Sequence, residues 1–342
     1  MVGSKISIDL NEIPLNIEGD IIIYDLKTLG NNFAFAGSVN FNANKAYESD
    51  AFVGISDFSG NIIWWDTLQG NYNNHYNSLC IINDTLMAVS GSKQTSIKGF
   101  KPIISCYRND GKKIWSKNIE GFSIEEKGIS ITALKNDEVL LTKSVSTGST
   151  GNLIYAALNS YSITDGSAGS INLDLNKYAT FKGWNSYFYQ SPELWNIQTR
   201  ISPNGDILLF GQRLLDQSFD NPKAHIFGIC INQSGFLKWE KEYGFLYNQS
   251  YLNDFFTEDS SVISISYLEE NRIRNDLLKV DELGLPIEQI KLDLGSESFS
   301  AIPLKITPTS RGYSLIGSLI NEQSGEKNIF TSILNSKGEL IQ

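Results

Sequence analysis

The chain has 342 residues, 41% of them hydrophobic and 19% charged, with 28 Lys+Arg against 38 Asp+Glu and a net charge of −10. That length holds either several small domains or one large repetitive one, and the acidic balance argues against a nucleic-acid footprint or an anionic membrane surface as partner. With 28 Gly and 11% aromatics but only 8 Pro, 2 His and 3 Cys, the composition suits many strands and turns and is poor in the usual catalytic and metal-binding side chains.

The N-terminal Met1-Val2-Gly3-Ser4 runs directly into the alternating Ile6-Ser7-Ile8-Asp9-Leu10, with no charged n-region and no apolar h-region. No stretch is long and apolar enough to span a bilayer, so the chain is expected not to cross a membrane. Cys80, Cys106 and Cys230 each sit in an apolar strand-like run, are odd in number and lack CxxC spacing, which makes them unpaired buried thiols.

Along the chain one cassette recurs: an apolar run, a polar turn, a second run often ending in Gly, a variable loop, a third run, a tight Gly turn and a fourth run. The third and fourth runs are clearest at 51–64, 102–115 and 226–239, with weaker copies turning at Gly166, Gly284 and Gly338. The turn glycines fall at 60, 111, 166, 235, 284 and 338, spaced by 51, 55, 69, 49 and 54 residues, which is a six-fold period. Asp57, Arg108, Asn232, Asp281 and Asn335 stand three residues before five of these glycines and are mostly the polar residues that open a hairpin turn, while Gly supplies the positive φ that closes it. Trp64, Trp115 and Trp239 stand four residues after it, so a period-2 strand carries them to one face as blade-packing residues. The second runs end at Gly37, Gly91, Gly211 and Gly317, where a missing side chain lets backbones approach near a crowded axis.

Four short strands per repeat of about 50 residues is the unit of a β-propeller blade. The expected fold is therefore all-β, a single β-propeller over 1–342 with six four-stranded blades. The blades fall at about 20–68, 78–119, 128–175, 194–243, 251–295 and 302–342 plus 5–10, with an aromatic insertion at 176–198. The strand at 5–10 is expected to complete the C-terminal blade and join the ends. Two packed β-sandwiches are the competing all-β reading. A WD40 array is disfavoured because Trp65-Asp66 is a single WD dipeptide without Gly-His in register, and kelch because Gly-Gly never occurs.

The cassette resembles the PQQ-like propeller repeats, and more closely the D-x-x-G-x-x-x-W repeats of secreted and surface-anchored bacterial proteins. Asp57 to Trp64 fits that pattern throughout, and 108–115 and 232–239 fit except at the first position. Thr309 to Gly317 resembles the T-x-D-G-G-Y-x-x-x-G run that opens such blades. The resemblance implies an exported, periplasmic or surface location and carries no catalytic assignment, because the motif residues are structural.

The chemistry is mostly absence: GxGxxG after a strand, P-loop, HExxH, GxSxG and CxxC do not occur, and no cofactor or metal is expected. His75 and His225 read as polar loop residues, and Glu125-Glu126, Glu269-Glu270 and Asp281-Glu282 as solvated acids. The loop 216–221 has oxygen ligands for calcium but not EF-hand spacing. The informative residues are aromatic: 178–195 places seven aromatics in 18 positions, among them Trp184, Tyr187, Tyr189 and Trp195, and a smaller group spans Asn71 to Asn77. Aromatic faces beside Asn and Gln amides suit sugar rings or extended polypeptide, although such an insertion also reads as a small core of its own. The function read from the sequence is a non-enzymatic binding or scaffold propeller, monomeric, that recognises a glycan or protein partner through its loop face. The alternative is a carbohydrate lyase or hydrolase using loop carboxylates with Arg200 or Tyr189. A quinoprotein dehydrogenase stands third. If the insertion carries recognition, Trp184→Ala and Trp195→Ala leave the unfolding midpoint in place and each weaken binding by about 1 to 2 kcal/mol, which paired melting and affinity measurements on the two variants check.

Overall fold

The computed structural model describes residues 7–8, 20–40, 49–57, 60–70, 73–96, 99–120, 125–135, 137–147, 153–175, 197–214, 224–243, 250–269, 272–292, 294, 299–321, 323, 327–339 and 341. Every element of two or more residues among them is a strand. The chain divides into two compact units, one of residues 13–192 and one of residues 193–342 with 1–12.

The first of these units holds three sheets, each an antiparallel meander whose strands pair in chain order. They are β2 (Asp20–Leu29), β3 (Asn32–Asn40), β4 (Asp50–Asp57) and β5 (Ile62–Leu68); then β6 (Asn74–Asn83), β7 (Leu86–Ser96), β8 (Gly99–Arg108) and β9 (Lys113–Asn118); then β10 (Glu125–Ala133), β11 (Glu138–Thr147), β12 (Leu153–Ser162) and β13 (Ala168–Asp174). The other unit repeats the pattern in β14 (Gln198–Ile201), β15 (Ile207–Leu214), β16 (Ala224–Ile231) and β17 (Leu237–Glu242), and in β18 (Ser250–Thr257), β19 (Ser261–Glu269), β20 (Arg272–Val280) and β21 (Pro286–Leu292). Its last sheet is β22 (Phe299–Thr309), β23 (Gly312–Asn321) and β24 (Lys327–Asn335), completed by β1 (Ser7–Ile8), with Ser7 opposite Phe330 and Ile8 opposite Ile329. Six four-stranded blades, the last closed by the N-terminal strand, are the fold the repeat period predicts.

The turns between third and fourth strands explain the period. All six turn glycines have positive φ, from 69° at Gly166 to 91° at Gly111. In five of the six turns the Gly N–H donates to the carbonyl three residues earlier, as Gly235 does to Asn232 at 2.9 Å and Gly284 to Asp281 at 3.1 Å. The opening side chain adds its own bond, Asp281 Oδ1 accepting from Leu285 N at 2.8 Å and Asn335 Oδ1 from Glu339 N at 3.0 Å. A type I turn followed by a left-handed Gly shifts the pairing by one residue, and the shift is seen beside Ile55, Cys106, Cys230 and Lys279. The third copy departs, Gly166 N bonding Ser162 O instead.

Adjacent blades within a unit are joined by apolar faces and by the tryptophans. Ala34, Val53 and Ile55 of the first blade pack with Tyr76, Leu79 and Met87 of the second. Each in-phase indole lies against the next blade's turn: Trp64 Nε1 donates to Asn109 O at 2.8 Å, Trp115 Nε1 to Ile163 O at 2.6 Å and Trp239 Nε1 to Glu282 O at 2.8 Å. A Cβ on Gly111, Gly166 or Gly284 would stand 3.0, 2.9 or 2.7 Å from that ring. The turn Gly is thus required twice, for its φ and for the space the indole occupies.

The first strands carry the other joint. Five of the six contain a register shift, between Ile23 and Asp25, Tyr76 and Ser78, Gly128 and Ser130, Leu252 and Asp254, and Pro303 and Lys305. In three of these the second-strand residue opposite the start of the bulge is one of the recurrent glycines, Gly37, Gly91 or Gly317. The residue after the bulge reaches into the next blade: Asp25 Oδ2 accepts from Leu79 N at 2.9 Å, Ser78 Oγ from Ile131 N at 3.3 Å and Asp254 Oδ2 from Ile306 N at 3.2 Å. Asp254 is also clamped by Arg200 at 2.9 Å, whose guanidinium lies 5.3 Å above the Phe255 ring.

Trp239→Ala is expected to cost about 3 to 5 kcal/mol, as large core aromatics do, and Gly284→Ala to destabilise by overfilling the same contact. Denaturant unfolding of both variants checks this, and unchanged midpoints would refute the clasp.

Candidate functional site

In an up-and-down sheet the first and third strands begin at the same end, where the second-to-third and fourth-to-first connections leave. In the unit of residues 13–192 that end carries a cluster assembled from three blades. Ile22, His75 and Lys127 hold equivalent places on the three first strands, each two residues before the bulged residue Tyr24, Asn77 or Ile129. Directly opposite them on the second strands stand Ser38, Ser92 and Ser144. In the remaining unit Ser266 and Ser318 pair with Tyr251 and Ile302 in the same way.

Ring stacking organises the cluster. The His75 ring lies 5.9 Å from Tyr24 and 6.3 Å from Phe100, tilted by 55° and 52°. Lys127 Nζ lies 4.5 Å from the centre of the Phe100 ring, within cation–π range. Tyr24 is 42% exposed and Ile22 54% exposed, so the first-strand row presents apolar surface, while His75 and Phe100 are half-buried behind it. Ser92 is fully buried on the same sheet face as His75, and its hydroxyl has no hydrogen-bond partner. Behind Lys127, Glu126 is buried and paired with Lys143 at 2.8 Å.

Burial, and after it the positive charge of Lys127, lowers His75 from the usual 6.5 to about 4. The imidazole is therefore neutral at physiological pH, a hydrogen-bonding aromatic ring rather than a cation.

The sequence placed His75 in a loop, and the structure puts it in β6, because this strand begins at Asn74, four residues before the expected start of the blade. The group Asn71 to Asn77 is accordingly divided: Tyr76 is fully buried, its hydroxyl 2.8 Å from Ser105 Oγ, and serves the core. His225 likewise lies in a strand, β16. Glu126 is buried rather than solvated because Lys143 neutralises it. Arg200 is held by Asp254 and takes a scaffold role. Trp184, Tyr187, Tyr189 and Trp195, with the whole stretch 176–196, lie outside the described residues, as does the loop 216–221. No group of three metal-ligating side chains occurs among the described residues, and no helix among them is long and apolar enough to cross a membrane. Tyr24, Phe100 and Lys127 were not singled out by sequence reasoning. The Ser that follows the second-run Gly at 38, 92 and 318 marks the register position opposite Ile22, His75 and Ile302, which points to His75 and to none of these three.

The fold defines the class, a six-bladed β-propeller. No family model matches the sequence and no curated protein does. Among solved structures, a protein of unknown function from Dyadobacter fermentans superposes with a TM-score of 0.57 at 12% identity, over 96% of both chains. The sialidase of Trypanosoma rangeli, solved in complex with sialic acid, superposes with a TM-score of 0.53 at 8% identity, over 98% of this chain and 57% of the sialidase. At such identities the likeness is one of fold.

Because His75 is harder to protonate folded than unfolded, its contribution to stability is intact above pH 6.5, falls as pH drops toward about 4 and levels off below that. An NMR titration of the two histidines should place His75 near 4, and Lys127→Met should move it upward; a midpoint near 6.5 in the wild type would contradict the burial of the ring.

Proposed function

We propose that the protein is a glycan-binding propeller, acting without catalysis, whose described contact surface is the Tyr24, His75 and Phe100 cluster. The observation that carries this reading is the exposed Tyr24 and Ile22 row beside a neutral imidazole. Sugar rings offer flat patches of C–H bordered by hydroxyls, and an aromatic rim beside neutral hydrogen-bonding groups complements both. The exported or surface setting implied by the repeat resemblance belongs to the same proposal, as does a contribution from the aromatics of 178–195.

Hydrolysis on this scaffold is the second reading, and the observation that favours it is the fold shared with the sialidase. In most glycosidase families it needs two carboxyl groups facing one ligand, whereas sialidases use a Tyr nucleophile. The buried carboxylates among the described residues are already engaged: Asp25 by Leu79 N, Glu126 by Lys143, Asp254 by Arg200 and Ile306 N, and Asp276 by Gln289 Nε2 at 2.6 Å. These bonds support binding over turnover.

A glycan array followed by calorimetry tests the reading. Tyr24→Ala should weaken the best glycan by about 1 to 2 kcal/mol with little change in melting temperature, the exposed ring being a contact rather than a core residue. Release of reducing ends from that glycan would favour the hydrolase, and an array without hits would remove the glycan.

A further inference from the structure

The end of each sheet opposite the start of its first strand carries the first-to-second and third-to-fourth turns. In four blades the residues on either side of the third-to-fourth turn Gly are polar: Ser59 and Asn61, Asp110 and Lys112, Asp165 and Ser167, and Lys337 and Glu339. The fourth and fifth blades depart from this, because Phe236 follows Gly235 and Leu283 and Leu285 enclose Gly284. All three apolar side chains are exposed, Phe236 at 70% and Leu283 at 59%, and so are Leu237 and Ile287 beside them. The two turns lie together: Trp239 Nε1 donates to Glu282 O at 2.8 Å and the Tyr243 hydroxyl to Gly284 O at 3.0 Å. Such a turn closes on its Gly and its polar opening residue alone, so apolar side chains on two adjoining tips serve a partner outside these blades.

Charge selects the partner. The fifth blade's turns at 257–261 and 281–285 hold Glu258, Asp259, Asp281 and Glu282 and no base, a set that no other blade repeats. Asp281 closes its own turn, Oδ1 accepting from Leu283 N at 2.9 Å and Leu285 N at 2.8 Å. The exposed Glu258, Asp259 and Glu282 form no ion pair among the described residues. The cations at this end are engaged or belong to other turns: Lys238 is bound to Asp206 at 2.7 Å, Lys279 is half-buried opposite Glu288, and Arg311 and Lys337 stand on the last blade. A second copy would bring these acids against acids, and an anionic bilayer would repel them. We infer that the fourth and fifth blades dock a basic, apolar polypeptide segment. Its hydrophobic side chains sit on Phe236, Leu283 and Leu285, and its lysines or arginines meet Glu258, Asp259 and Glu282. The apolar tips supply the affinity, and the acids steer the encounter and select against other partners. This surface shares no residue with the Tyr24, His75 and Phe100 cluster and does not rest on the glycan reading.

The experiment is calorimetry of the wild-type chain with a short synthetic peptide that alternates Leu and Lys. Two control peptides carry Ser in place of Leu or Glu in place of Lys. The Leu–Lys peptide should bind and both controls should bind at least about tenfold more weakly, with the preference over the Glu control shrinking as salt rises. Leu283→Ser, which installs the residue that the fourth blade has at that place in Ser234, and Glu282→Lys should each weaken the Leu–Lys peptide by about tenfold at an unchanged melting temperature. Asp84→Lys, the same reversal of charge on an exposed turn of the second blade, should leave the affinity in place. Absence of binding by the Leu–Lys peptide overturns the proposal, as does equal binding of the Ser control or an equal loss in Asp84→Lys, either of which reduces the effect to net charge. Self-association in sedimentation, or binding to phosphatidylcholine vesicles, that is abolished by Leu283→Ser gives the patch to a second copy or to a membrane and overturns the assignment as well. The comparison of the three peptides needs no variant, so a destabilised Leu283→Ser would not shelter the proposal.

Discussion

The blades depend on one constraint: the first strand of a blade is a sheet edge, and in three of them a buried backbone N–H past the bulge takes its partner from the preceding blade. An orphaned buried N–H costs as much as a lost hydrogen bond. The protein meets that demand from the neighbouring blade. Asp25, Ser78 and Asp254 each offer a side-chain oxygen to the amide of Leu79, Ile131 or Ile306, 52 to 54 residues further along. The bulge creates the need and also aims the side chain that answers it, because an extra residue in the strand turns the following side chain toward the adjoining blade. A carboxylate in that role is the stronger acceptor, and at Asp254 it is held in place by Arg200.

The outer joint answers the same question at the fourth strand. An indole is large enough to cover the next blade's turn and has a single N–H to give, and that N–H goes to a turn carbonyl in all three cases. Where Trp is missing, as in the fifth blade, Ile290 takes its place against the next turn, its methyl filling the space over Gly338. Between the polar inner joint and the indole joint lie apolar faces of Val, Ile, Leu and Ala, so neighbouring blades of a unit are locked at two edges and cohere by burial in between.

This economy decides which residues are left for function. The buried carboxylates serve as caps and counter-ions, and the buried tyrosines and tryptophans as packing. Near the starts of three first strands Tyr24, His75 and Lys127 are joined by ring and cation contacts, with Phe100 between His75 and Lys127.

The repeat, the hairpin turns, the in-phase tryptophans and the pairing of the N-terminal strand, seen at Ser7–Ile8, with the last blade were legible in the amino-acid order, because each is written in short-range chemistry. A Gly at positive φ, an Asx residue opening a turn and strict alternation all act within a few residues. Only the tertiary structure decided where the bulges fall, that His75 belongs to a strand, that Glu126 is buried, and that Tyr24, His75, Phe100 and Lys127 converge. A bulge leaves no mark in composition and reverses the facing of every later side chain in its strand. The convergence joins positions as far apart as Tyr24 and Lys127, on four strands of three different blades, and it arises from the angle and register at which whole sheets pack, a property that no local pattern of residues encodes.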